Sequence, residues 1–172
     1  MNRLAILGTL VVGTVGVAAS ASADFVIEAR TAAIHTEGGP YASGGWNLWS
    51  NGRVGQPLRF ATAGTYGIVV RAWGSSAGGV WPEMALLVDG KAVKTVTVGR
   101  AERADYRFDV HLAAGAHEIA AGFLNDALIG KEDRNLYLER FTISPPPGAA
   151  DPVLVAKQEL VEAAEQRERE AV

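Results

Sequence analysis

Met84-Ala85-Leu86-Leu87-Val88-Asp89-Gly90-Lys91-Ala92-Val93-Lys94-Thr95-Val96-Thr97-Val98 reads as a β-hairpin. Met84, Leu86 and Val88 recur at every second position, the period of a strand with one buried face. Asp89-Gly90 then separates two apolar runs. An Asp-Gly pair suits a two-residue turn in which both residues take positive φ, and that turn twists the way the flanking strands do.

The same period extends outward from this hairpin. Tyr66, Ile68, Val70 and Ala72 alternate with Gly67, Val69 and Arg71. Tyr106, Phe108 and Val110 alternate with Arg107, Asp109 and His111, and Ile119, Ala121 and Phe123 share a face. Residues 25–30, 58–61, 92–98 and 135–143 add further apolar strands. Asn51-Gly52, Ala63-Gly64 and Ala114-Gly115 supply turns between them. Eight or nine short strands at this spacing predict an all-β chain, an antiparallel β-sandwich of the jelly-roll type. No helical period crosses the body, which argues against an α/β enzyme.

The two ends differ from the body. Residues 1–23 combine Met1-Asn2-Arg3, an apolar run from Leu4 to Val17, and Ala21-Ser22-Ala23 before Asp24. That is the pattern of a secretory signal peptide cleaved before Asp24, so the mature protein is expected to be secreted or periplasmic. The apolar run falls short of the roughly 20 residues a membrane span needs, so no span is expected after cleavage. Residues 24–144 form the sandwich, and residues 145–151, opening on Pro145-Pro146-Pro147-Gly148, form a linker. Residues 152–172 make a charged helical tail outside the sandwich, with Asp151 as N-cap and Pro152 in the first turn. Its apolar side is thin, with Leu154, Val161 and Ala164, and Glu165 and Arg169 form an i,i+4 pair. The plain reading of this helix is a solvated element; the sharper one is a docking element for a protein partner.

Composition removes several chemistries. The chain has no cysteine, so it has no disulfide framework, thiolate zinc site or cysteine nucleophile. Stability has to come from a core, and a domain of this length buries roughly two-thirds of its unfolded surface. A net charge of −3 without a Lys/Arg run gives nothing to track phosphates, which excludes a nucleic-acid partner. His35, His111 and His117 show no zinc spacing, and Glu28 reads as facing solvent. Gly74-Ser75-Ser76-Ala77-Gly78 has the outline of a nucleophile elbow, with Asp89 and His117 following in order. It lacks the helix that such an elbow needs, because Gly79, Trp81 and Pro82 come next.

One stretch concentrates hard oxygen ligands. Phe123-Leu124-Asn125-Asp126 is followed, after six residues, by Asp133-Arg134-Asn135-Leu136-Tyr137. Any one Asp or Asn here could simply bond loop backbone. Four around one short loop, flanked by apolar strands, point to a cation that takes six to eight oxygens. Oxygen-only ligands favour Ca2+ over zinc. Two glycine-rich loops stand out elsewhere in the chain, one entering Trp46-Asn47-Leu48-Trp49 and one entering Val80-Trp81-Pro82. Sugar rings stack on aromatic planes, so Trp46, Trp49, Trp81 and Tyr41 are candidates, against the competing use of aromatics as core. Trp46 and Trp49, three apart, face opposite ways in an extended chain, so one of them belongs to the core.

These pieces, read in order, resemble one family. They are Trp46-Asn47-Leu48-Trp49-Ser50-Asn51-Gly52, Ala63-Gly64-Thr65-Tyr66, Gly79-Val80-Trp81-Pro82-Glu83-Met84, Leu87-Val88-Asp89-Gly90, Phe123-Leu124-Asn125-Asp126 and Asp133-Arg134-Asn135-Leu136-Tyr137. The stretch from Trp46 to Ile143 is similar to the calcium-dependent xylan-binding carbohydrate-binding modules of families 36 and 60. The resemblance implies a non-catalytic jelly-roll that binds polysaccharide through calcium, with vicinal sugar hydroxyls filling the ion's free positions. By motif position it implies Asp126 and Asp133 as side-chain ligands, with Asn125 and Asn135 ligating or holding the loop. Asn135 is counted with the metal ligands and Asn125 with the ligand-binding residues. Trp81 and Glu83, on the facing loop, would border the sugar, with Trp46 as a further contact. Two features depart from the family: this sequence contains no catalytic domain, and its tail is unlike it. The glycan is therefore open among xylan, galactan and others. The alternatives are a structural or adhesion sandwich docking a protein through the tail, and an esterase acting through Ser76.

Overall fold

The computed structural model describes residues 24–171, and the expected leader, residues 1–23, lies outside them. The strands are β1 (Phe25–Glu28), β2 (Ile34–His35), β3 (Gly39–Pro40), β4 (Trp46–Leu48), β5 (Gly52–Phe60), β6 (Gly64–Ser75) and β7 (Glu83–Val88). They continue with β8 (Lys91–Thr97), β9 (Ala104–Leu112), β10 (Gly115–Phe123), β11 (Leu128–Ile129), β12 (Glu132–Asp133), β13 (Asn135–Ser144) and β14 (Val153–Leu154). One helix, α1 (Lys157–Glu170), follows.

Two antiparallel six-stranded sheets stack face to face. Sheet I runs β3-β4-β13-β6-β9, with β1 on the same edge of β13 as β4. Sheet II runs β14-β5-β10-β7-β8, with β2 also on β5. The alternation seen in the sequence sends Leu48, Tyr66, Ile68, Val70, Phe108, Leu136, Leu138 and Phe141 inward from sheet I. Val54, Leu58, Phe60, Met84, Leu86, Ile119 and Phe123 meet them from sheet II. Each such side chain contributes about 1.5–3 kcal/mol by leaving water. The Asp89-Gly90 turn is as expected: Val88 pairs with Lys91, and φ is 51° at Asp89 and 75° at Gly90.

The tail departs from expectation. Its helix starts at Lys157, with Ala156 rather than Asp151 at the N-cap and no side-chain cap. Val153 and Leu154 instead pair with Arg59 and Leu58, and Val155 N–H donates to the Pro57 carbonyl at 3.3 Å. Ladder bonds to an open strand edge outweigh the helix signal at these positions, because an unpaired edge leaves backbone groups unsatisfied. The helix stays outside the sandwich but rests on sheet II. Arg59 pairs with Glu159 at 2.6 Å, and Arg167 donates to the Ala116 carbonyl at 3.1 Å. A cavity of about 430 Å³ remains beneath it, lined by residues such as Ile34, Arg53, Leu160 and Ala164. No helix among the described residues is long and apolar enough to cross a membrane.

Asp89 ties this end of the sandwich together. Its carboxylate accepts from His117 Nδ1 at 2.7 Å and Glu118 N–H at 2.9 Å, with Arg167 at 3.4 Å. Partial burial works to raise its pKa. The His117 hydrogen bond, the Glu118 N–H and the charges of His117 and Arg167 outweigh that and hold it below the ordinary carboxylate value. A carboxyl whose folded pKa is depressed stabilises the fold above its unfolded pKa and loses that contribution as pH falls toward the folded one. Stability is therefore expected to drop on acidification below about pH 4, and Asp89→Asn to flatten that slope in urea titrations at several pH values.

Candidate functional site

The site is built where β10 ends and β13 begins. Residues 124–134 fold back as a small hairpin in which Leu128 pairs with Asp133 and Ile129 with Glu132. Gly130, at the tip, has φ 64°. Arg134 N–H donates to the Ala127 carbonyl at 3.0 Å, which extends the ladder by one step. Asp126 therefore lies before the first strand of this hairpin, and Asp133 and Asn135 lie at the end of its return strand and the start of β13.

Each sequence-predicted residue now has a place. Asn125 is a clamp: its Oδ1 accepts Glu83 N–H at 2.7 Å and its Nδ2 donates to the Trp81 carbonyl at 3.0 Å. It thereby locks the facing loop that carries Trp81, half-buried, and Glu83, exposed. Asp126 is held through its backbone, whose N–H donates to Asn51 Oδ1 at 2.8 Å, and its side chain is exposed. Asp133 receives Ser75 Oγ–H on its carbonyl at 2.7 Å and Asn135 Nδ2 on its carboxylate at 3.0 Å. Asn135 is only 7% exposed, and its Oδ1 is buried with no hydrogen-bond partner. Glu132 is already committed, accepting Gly78 N–H at 2.8 Å.

Trp46 sits at the margin of the core. It is half-buried, packs against the core, donates Nε1–H to the Glu37 carbonyl at 2.7 Å and lies 3.8 Å from the His35 ring. Trp49 is the outward one of the pair, 49% exposed, beside the Ser50-Asn51 turn that holds Asp126. Both rings cannot face the same way in an extended segment, and the core took Trp46. Trp49 is thus the more exposed ring of the two.

Two features were not assigned a role from the sequence. The first is Tyr137, on the outer face of sheet I. It stacks on Trp73 at 5.3 Å and meets Tyr41 at 4.8 Å. Its hydroxyl pKa is raised by burial, then by Tyr41 and Asp133, against a lowering hydrogen bond with Ser75. An aromatic strip thus adjoins Asp133 and Asn135. The alternation of β13 was the available signal, since Leu136 inward forces Asn135 and Tyr137 outward. The second is Arg134, 5% exposed. Its Nε donates to the Val80 carbonyl at 2.8 Å, Nη2 to Ala77 at 2.8 Å and Nη1 to Asn125 at 2.5 Å.

A metal can be tested against these donors. Among the described residues no group of three His, Cys, Asp or Glu side chains gathers to hold an ion. Asp126 and Asp133 offer two carboxylates, and the orphaned Asn135 oxygen is an acceptor that needs a positive partner. A buried unpaired acceptor costs about 1–3 kcal/mol, so a hard cation beside it removes a penalty. The donor set is all oxygen, as calcium prefers, and the residues fit the ion.

The elbow reading fails on geometry. Asp89 and His117 do pair at 2.7 Å, but Ser76 follows β6 at the opposite end of β7 from Asp89. Six residues of strand separate them by roughly 20 Å, too far for a hydrogen-bonded triad.

The two-sheet sandwich is the fold of solved carbohydrate-binding modules. The model of one such family, CBM60, described as a Ca-dependent, xylan-binding carbohydrate-binding module, matches residues 67–156, more than half of the chain. The chain belongs to that family and, like its members, is a non-catalytic binding domain. Among solved structures it is similar to a CBM36 module in complex with calcium and xylotriose. The identity is 20%, the TM-score 0.57, and 70% of this chain and 99% of that one are covered. It is also similar to the CBM36-1 domain of a multidomain xylanase from the hindgut metagenome of Trinervitermes trinervoides. There the identity is 16%, the TM-score 0.60, and the coverage 72% and 98%. A CBM6 module of Cellvibrio mixtus lichenase 5A, in complex with cellotriose, follows at 15%, 0.52, 71% and 97%. At these identities the likeness is one of fold. No curated protein matches the chain in sequence.

Proposed function

We propose that this module binds a xylan-type polysaccharide through Ca2+ held by Asp126, Asp133 and Asn135. The observation that carries the reading is the buried, partnerless Asn135 oxygen beside Asp133. When bound, the ion offers open coordination positions to vicinal sugar hydroxyls. The chain's own residues do the rest. Asn125 holds the 81–83 backbone in place, so that Trp81 and Glu83 border the ligand. Trp49 and Tyr137 offer rings for the apolar faces of the sugars. The family's description and the calcium and xylotriose of the CBM36 relative support this assignment. Export is part of the same reading, supported by the leader pattern of residues 1–23 and by a polymeric ligand.

The test is retention of residues 24–172 on insoluble xylan and on a panel of mannan, galactan, laminarin and cellulose. Retention on xylan above the rest supports the assignment. Retention on another glycan alone replaces xylan, and none on any of them overturns the reading.

A further inference from the structure

Arg134 is a buried guanidinium without a carboxylate. It forms no ion pair among the described residues, although Asp133 precedes it in sequence. Its partners are three backbone carbonyls, Ala77 and Val80 from the β6–β7 loop and Asn125 from the β10–β11 segment. Burying a charge is costly unless it is fully hydrogen-bonded. Three carbonyls aimed at one point likewise repel one another unless a cation stands between them. Converging carbonyls of this kind are what a calcium ion collects; here the chain supplies the cation itself.

We infer that Arg134 is an internal cation that clamps the two loops of the site into their binding arrangement before any calcium arrives. The clamp draws residues 77–80 against Asn125, and Asn125 in turn grips Trp81 and Glu83. Its neighbours in sequence, Asp133 and Asn135, are fixed with it through Ser75, whose Oγ contacts the Asp133 carbonyl at 2.7 Å and the Asn135 N–H at 3.0 Å. A preset site binds without first ordering its loops, which raises affinity by removing that cost. Lysine cannot replace the clamp, because a single ammonium lacks the planar fork that spans three acceptors. The link to ligand binding rests on the calcium reading above; the clamp itself does not.

Arg134 is thus a positioning residue, and amide hydrogen exchange in calcium-free buffer reads its action. The reporters are Glu83 and Asp126 N–H, bonded to Asn125 and Asn51. In the unmodified protein they are expected to exchange at least about tenfold more slowly than in an unstructured peptide. Arg134→Lys is expected to accelerate both about tenfold or more, leaving Ile68 and Ile119 in the core unchanged, and to weaken calcium about 10–100-fold. Free exchange in the unmodified protein until calcium is added overturns the inference without needing any variant. Unchanged rates in Arg134→Lys overturn it as well. Protected reporters in a protein that takes up no calcium support the clamp and overturn the calcium reading instead.

Discussion

Asp133→Ala is expected to abolish calcium uptake while leaving the fold intact. Asp133 is exposed, and among the described residues its carboxylate accepts a 3.0 Å hydrogen bond from Asn135 Nδ2, a group that also has the Asp133 carbonyl at 3.3 Å as a second acceptor. Metal-free stability should therefore change by no more than about 0.5 kcal/mol. The loss of a charged oxygen ligand is another matter. Changes to residues that merely support a ligand already cost about 10–100-fold in metal affinity, so removing the ligand should cost at least about 100-fold. Calcium at 100 times its dissociation constant stabilises a folded protein by about 2.7 kcal/mol. Thermal unfolding with and without calcium thus gives a shift in the unmodified protein and none in Asp133→Ala. A preserved shift would remove Asp133 from the ligand set.

Phe123→Ala is expected to cost about 3–5 kcal/mol. The ring is 1% exposed in the core, and its backbone pairs with Gly52 on one side and Met84 on the other. The ring sits on β10, the middle strand of sheet II, with packed strands on both sides. Against a usual stability of about 5–15 kcal/mol this is about a fifth or more of the total. Urea unfolding should show a lower midpoint at an unchanged m-value. Phe123 is also followed directly by Leu124 and Asn125, so the same substitution loosens the strand end from which the binding loop departs. A loss below about 1 kcal/mol would mean that the β10 end is not packed as described.

The features readable from the sequence were those with local causes. Asp89-Gly90 makes its turn with its own backbone, and the alternation through Tyr66, Ile68 and Val70 needs only the pleat. What the sequence hid depends on distant partners. β5 runs from Gly52 rather than from Leu58, because Gly52, Gly55 and Pro57 interrupt its apolar pattern. Yet Gly55 lies so close to β10 that a Cβ there would stand 2.5 Å from that of Ala120. Pro57 turns its missing N–H to the strand's outer edge, the place where a sheet tolerates proline. The tail's first residues read as helix until the open edge of β5 is known. In the site, the ligand types were visible in Asn125-Asp126 and Asp133-Arg134-Asn135. Which acceptor would be left partnerless was not, nor was the burial of Arg134, a residue type usually at the surface. The different burial of Trp46 and Trp49 has the same origin, since spacing shows that two rings diverge but not which one meets the core.

If glycan binds this protein through calcium, calorimetric titration of xylohexaose into residues 24–172, first calcium-loaded and then stripped with EDTA, tests it directly. Binding is expected in the loaded protein, with its loss after stripping and its return when calcium is restored. Equal affinity before and after stripping would contradict it and leave Trp49, Trp81 and Tyr137 as a metal-free aromatic platform.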